Sequence, residues 1–179
     1  MHKKKRYLSL SAMGLMVAPI VSLSSCKEKT PDELPNILWL VSEDNSPLLG
    51  CYGDEFATTP NLDALASDGF LYTHAYSNAP TSSPTRNTLI TGVYANSGGN
   101  QHMRSSNPKS EEIRTYPEFL RQAGYYCTNN AKTDYNTPTI DPAEIWDESS
   151  NKAHYKNRAP GQPFFRYFQY SNHTRKLHS

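Results

Sequence analysis

The sequence predicts an α/β domain built on a mostly parallel sheet flanked by helices. Three observations predict it. Strand-like runs alternate with segments that carry helix punctuation, the order expected when helices cover a parallel sheet. Residues 36–42, Asn36-Ile37-Leu38-Trp39-Leu40-Val41-Ser42, form a continuous apolar run, the pattern of a strand covered on both faces. Acidic and amide residues, Glu43-Asp44-Asn45, follow at its C-terminal end, where open α/β sheets gather their ligand sites.

The elements follow in chain order. Over 59–69, Thr59 is placed to cap a helix, Pro60 to occupy its first turn and Gly69 to stop it, with Leu62, Leu65 and Ala66 on one face. Residues 70–76 read as a second strand. Pro84 opens a short helix that ends at Gly92. Residues 116–124 read as a third helix with Phe119, Leu120 and Ala123 inward, 125–129 as the next strand, and 164–170, after Pro163, as the last. The polar stretches 96–112 and 136–163 are expected as loops over the site or surface, and there are no internal repeats.

The 179 residues are 36% hydrophobic, with 12 tyrosines and 13 prolines, which suits a loop-rich folded domain and not a disordered chain. The net charge is +1, but Lys3, Lys4, Lys5 and Arg6 supply four of the 18 basic residues. Without the first 25 residues, 14 bases face 17 acids, a net charge of −3, so a broad nucleic-acid surface is excluded. The same four cations precede the apolar stretch Leu8 to Leu23, with the length and flanks of an export signal. It ends in Leu23-Ser24-Ser25-Cys26, which resembles the lipobox of bacterial lipoproteins, where the Cys becomes the acylated mature N-terminus. The expected organisation is therefore a signal peptide over 1–25, a polar tether over 26–35 and a catalytic-domain segment over 36–179. The product is an exported protein held on a membrane face through lipid on Cys26, facing the periplasm or on the cell surface. Cys51 and Cys127 are expected as buried free thiols.

The residues with most chemical content are Ser82-Ser83-Pro84-Thr85-Arg86-Asn87-Thr88-Leu89-Ile90-Thr91-Gly92. They resemble the sulfatase signature: Cys or Ser, any residue, Pro, a small residue, Arg, four residues, then Thr-Gly. The resemblance implies that Ser82 is oxidised to formylglycine, in its Ser form by an anaerobic sulfatase-maturing enzyme, and that its hydrate is the nucleophile toward sulfur. A helix N-terminus beside Ser82 favours a developing anion, and Arg86 in the first turn can reach back to it.

The same resemblance assigns further roles. Glu43 and Asp44 stand where sulfatases carry acids that bind calcium, with Ser82 as a further ligand; Glu43 replaces the more usual Asp. Lys132 stands where a Lys binds the sulfate, and Asp134 stands where a His is more usual. His173, after the last strand, matches a His that protonates the leaving group. Ser42 to Pro47, Cys51-Tyr52-Gly53 and Gly98 to Arg104 look most like the bacterial heparan N-sulfatase-like branch, which implies a glycosaminoglycan or other sulfated glycan as substrate and His102 and Arg104 as substrate contacts.

The resemblance spans roughly 35–175 and implies the first part of a longer catalytic domain, with further metal ligands outside it. The 179-residue chain alone is expected to fold poorly and to release no sulfate. Two other functions fit the same residues. One is a metal-dependent phosphoester hydrolase of the same superfold with an unmodified Ser82. The other is a lipoprotein that binds sulfated glycans through Arg86, Arg104 and Lys132 without turnover.

Overall fold

Four parallel strands form one sheet in a computed structural model that describes residues 34–43 and 46–170. The strands are β1 (Ile37–Ser42), β2 (Tyr126–Asn130), β3 (Glu148–Ser149) and β4 (Phe164–Tyr170), in the order β1-β4-β2-β3. β4 therefore lies between β1 and β2, in register from Ile37 opposite Phe165 to Ser42 opposite Tyr170, and from Tyr126 opposite Phe164 to Asn130 opposite Phe168. The mostly parallel α/β fold expected from the sequence is the fold found.

Among the described residues four α-helices accompany the sheet: α1 (Pro60–Asp68), α2 (Ser82–Thr91), α3 (Tyr116–Gln122) and α4 (Pro142–Ile145). Thr59, Pro60 and Gly69 bound α1 where expected, with Pro60 in the first turn, but the Thr59 hydroxyl does not cap the helix; it accepts from the Gly50 N–H at 2.9 Å and donates to Asp63 Oδ1 at 3.0 Å. Gly92 ends α2 at φ 70°, a left-handed conformation that glycine adopts without strain, and its N–H donates to the Thr88 carbonyl. α3 begins with Thr115, whose N–H and hydroxyl both donate to Glu118 Oε2, at 2.6 and 2.7 Å.

Alternation along β4 buries Phe165, Tyr167 and Gln169 on one face. Phe165 and Tyr167 join Cys127, Ile90, Tyr125, Tyr135, Ile140, Ile145 and Trp146 in the core. Trp39 and Tyr116 pack on Phe165 at centroid distances of 5.3 Å each, with Tyr116 edge-on to Trp146 at 5.8 Å. This aromatic cluster fixes α3 and the 135–146 segment against the sheet.

Several sequence expectations are corrected. β1 is not covered on both faces: among the described residues it is the sheet edge, and Leu38 and Leu40 are exposed. Residues 70–76 form no strand; Phe70, Tyr72 and Tyr76 are exposed, and the segment is fastened by the Tyr52 hydroxyl donating to the Tyr72 carbonyl at 3.0 Å. A β-rich composition does not make a strand without a partner ladder. α1 buries none of its residues. In α3, Phe119 and Ala123 face out, Phe119 beneath the Arg114 guanidinium at 4.3 Å, and the inward pair is Tyr116 and Leu120, one turn apart. The 136–163 stretch is not all loop, since it carries α4, β3 and a 3₁₀ turn at Tyr155–Asn157. Cys127 is buried and Cys51 only half-buried; both thiols are free.

Candidate active site

Three strand ends and one helix start meet at the C-terminal edge of the sheet. Glu43 follows β1, Lys132 follows β2, Gln169 is near the end of β4, and Ser82 opens α2. In a parallel sheet all strands deliver their C-terminal ends to one side, so residues far apart in sequence converge there.

The Ser82 hydroxyl is the centre of the group. It donates to Glu43 Oε1, and it accepts from Arg86 Nε at 3.1 Å and Lys132 Nζ at 3.3 Å. Ser82 and Arg86 are one helical turn apart on α2, which places both side chains on one face. Arg86 is 6% exposed and all three of its nitrogens are engaged: NH2 donates to Glu43 Oε2 at 3.2 Å and to Gln169 Oε1, and NH1 donates to the Tyr167 hydroxyl at 3.1 Å. Lys132 Nζ lies 2.6 Å from both Glu43 oxygens. Gln169 Nε2 donates to Glu43 Oε2 at 2.7 Å.

Glu43 is thus the anion between two cations. Burial by itself would raise its carboxyl, but the hydrogen bonds from Lys132 and Ser82 and the charges of Arg86 and Lys132 outweigh this and hold it at about 2. Among the described residues the cluster has two cations for one anion, and the start of a ten-residue helix adds partial positive charge. Such an arrangement accommodates an incoming anion and stabilises negative charge on the atom at the Ser82 Oγ position.

The structure brings together Ser82, Arg86, Lys132 and Glu43. Asp44 and His173, and Cys26 of the lipobox, lie outside the described residues. Arg104 is not in the cluster; it lines a neighbouring cleft of about 420 Å³ with Asp134, Asn136 and Thr137. His102 is exposed, with its carbonyl accepting from Asn136 Nδ2 at 2.7 Å. Asp134 does not touch Ser82; its Oδ1 lies 3.0 Å from the hydroxyl of the next residue, Ser83.

Sequence reasoning missed Gln169 and Tyr167, which ligate Arg86 from the core face of β4. The period-two alternation that buries Phe165 could have found them, because it aims 167 and 169 the same way. It also missed Asn129, which is fully buried and whose Nδ2 donates to Ser149 Oγ at 3.0 Å and to the Lys132 carbonyl at 3.4 Å.

Calcium is the metal implied by the sequence resemblance. Among the described residues no three His, Cys, Asp or Glu side chains come together as a metal cluster. Glu43 and the Ser82 oxygen are hard donors of the right chemistry, but they number three oxygens where calcium takes about six to eight. The described donors fit calcium in kind and not in number.

The sulfatase family profile matches residues 35–174. The chain belongs to the sulfatase family. An ulvan-active sulfatase of Formosa agariphila is 41% identical over 152 residues, covering 78% of this chain and 25% of that protein. A solved structure in complex with its substrate D-glucosamine-2-N,6-O-disulfate superposes with a TM-score of 0.63 at 20% identity, over 75% of this chain and 34% of the other. The phosphonate monoester hydrolase of Agrobacterium radiobacter superposes with a TM-score of 0.50 at 30% identity, over 80% and 27%. The chain spans about a quarter of the length of the curated relative it matches at 41% identity.

Proposed function

We propose that this chain is the nucleophile-bearing part of an exported sulfatase that hydrolyses sulfate esters or sulfamates on a glycosaminoglycan or other sulfated glycan. The observation that carries the proposal is the Ser82 oxygen, which opens α2 within reach of Arg86 Nε and Lys132 Nζ. The signature from Ser82 to Gly92 supplies the chemistry, and the 41% identity to an ulvan-active sulfatase supports a sulfated polysaccharide as substrate.

Oxidised to formylglycine and hydrated, residue 82 supplies two hydroxyls, one to take sulfur from the substrate and one to expel sulfate. Arg86 and Lys132 hold the nucleophilic oxygen and share the charge that grows on it and on the sulfate. Arg86 is kept rigid for this by Tyr167 and Gln169. Glu43 orients both cations and, with Asp44 and residue 82, would hold calcium, which supplies positive charge against the sulfate oxygens. His173 gives a proton to the departing oxygen or nitrogen, and His102 and Arg104 contact the sugar. Cys26 carries the lipid that keeps the protein at a membrane face, and an anaerobic maturase is the partner that oxidises Ser82.

The test is mass spectrometry of the Ser82 peptide from full-length protein produced with such a maturase, alongside sulfate release from sulfated glycans. A peptide lighter by two hydrogens, with turnover, is expected. Full sulfate release with an ordinary serine would overturn the formylglycine chemistry, and turnover of phosphate or phosphonate esters in place of sulfates would favour a phosphoester hydrolase, a function suited to the phosphonate monoester hydrolase likeness. Against that alternative stand Pro84 and Arg86, which complete the sulfatase signature.

A further inference from the structure

We infer that Asn136 is a positioning residue that sets the distance between the reactive end of α2 and the turn carrying His102 and Arg104. The inference rests on the sulfatase activity proposed above and adds a determinant of glycan specificity.

Asn136 is 5% exposed, and its amide uses all four of its hydrogen-bonding capacities. Oδ1 lies 2.8 Å from the Ser83 hydroxyl and accepts from the Ser105 N–H at 2.9 Å. Nδ2 donates to the Asn100 carbonyl at 2.8 Å and the His102 carbonyl at 2.7 Å. One side chain therefore ties three segments: α2 at the residue after Ser82, the 100–105 turn, and the 132–136 loop that delivers Lys132. The Asn136 and Arg104 backbones have φ values of 56° and 57°, a conformation that an Asn accepts with little strain and an Arg does not favour. The turn is held in that shape from outside, and Asn136 supplies three of the holding bonds. Beside it lies the 420 Å³ cleft that Arg104 lines. Were the tie lost, the cleft wall would shift relative to Ser82 while Arg86, Lys132 and Glu43 kept their own contacts.

Asn136→Asp is the test, because Asp also suits a positive φ and keeps an acceptor for Ser83 and Ser105. It replaces the NH2 by an oxygen facing two carbonyls, which pushes the 100–105 turn away. Full-length, matured enzyme is assayed on a sulfated oligosaccharide, which reaches the turn, and on a simple aryl sulfate, which does not. The oligosaccharide KM is expected to rise about tenfold, with its kcat and the aryl-sulfate kcat/KM changed by less than about threefold. Hydrogen exchange is expected to quicken across 100–105 and to stay unchanged in β4. An unchanged oligosaccharide KM, or an equal loss on both substrates with β4 intact, would overturn the inference. Should Asn136→Asp lose β4 protection, Ser83→Ala decides: it removes the α2 hydroxyl shared by Asn136 and Asp134, leaves the three bonds of Asn136 to the 100–105 turn, and is expected to raise the oligosaccharide KM about threefold. If wild-type enzyme turns over neither substrate, the proposed function fails, and exchange at 100–105 in the variants still supports or refutes the role of Asn136.

Discussion

Replacing Glu43 by Gln keeps the side-chain shape and removes the anion that Arg86 and Lys132 share. The carboxyl is held at about 2 against an ordinary 4.5, so its native contacts favour the charged form and stabilise the fold at neutral pH. Breaking a buried ion pair costs about 3–5 kcal/mol, and with Glu43 21% exposed the lower end applies. Glu43→Gln is therefore expected to lose about 3 kcal/mol in urea unfolding at pH 7. The pH dependence gives a sharper check. A carboxyl whose native value is depressed contributes its full stability above 4.5, and loses it as pH falls through about 2. The gap between wild type and variant should be constant above pH 5, narrow from 4.5 downward and close near pH 2. Other carboxylates titrate in the same range, but they are common to both proteins and cancel in the difference. A gap below about 1 kcal/mol at pH 7, or one that stays constant down to pH 2, would refute the central place given to Glu43.

Lys132→Met is expected to cut sulfate release about 10²–10³-fold by removing a donor to the Ser82 oxygen. Its cost in stability should stay near 1 kcal/mol, because the Lys132 side chain is 36% exposed and Glu43 keeps Arg86; steady-state kinetics and urea unfolding on one preparation check both. Glu118→Ala removes the acceptor for both the Thr115 N–H and hydroxyl at the start of α3, and should lower stability by about 1 kcal/mol in the same assay. Burial, reinforced by Asp147, pushes the Cys127 thiol up to about 12. Iodoacetamide at pH 8 should therefore label Cys51 in native protein and leave Cys127 unlabelled until denaturant is added, as peptide mass spectrometry would show.

Much of the fold was legible because its elements carry local punctuation. Thr59, Pro60 and Gly69 bracket α1, Gly92 stops α2, and the apolar runs mark β1 and β4. β3 was not legible: two residues carry no periodicity, and Glu148 and Ser149 pair with β2 only because the chain returns there. The aromatic stretch 70–76 misled because strand propensity describes a side chain's fit to a sheet and supplies no neighbouring strand. In the site, the spacing from Ser82 to Arg86 foretold that the two meet, since it is one helical turn. Glu43 was read as a cation ligand, and the structure finds it already holding two protein cations, an outcome set by chain crossings that spacing does not encode. Gln169 and Tyr167 belong to no motif, and only the period-two alternation of β4 marks them.

The Arg86 guanidinium is a flat fork held from three sides: its own helix at Ser82, the end of the outer strand at Glu43, and the central strand at Tyr167 and Gln169. An ammonium on a flexible stem could match neither the angles nor the number of those contacts, so lysine at 86 would not be a mild change. Charge at that spot is frozen into place when the chain folds. A visiting anion meets it ready-aimed, and little side-chain freedom remains to be surrendered on arrival.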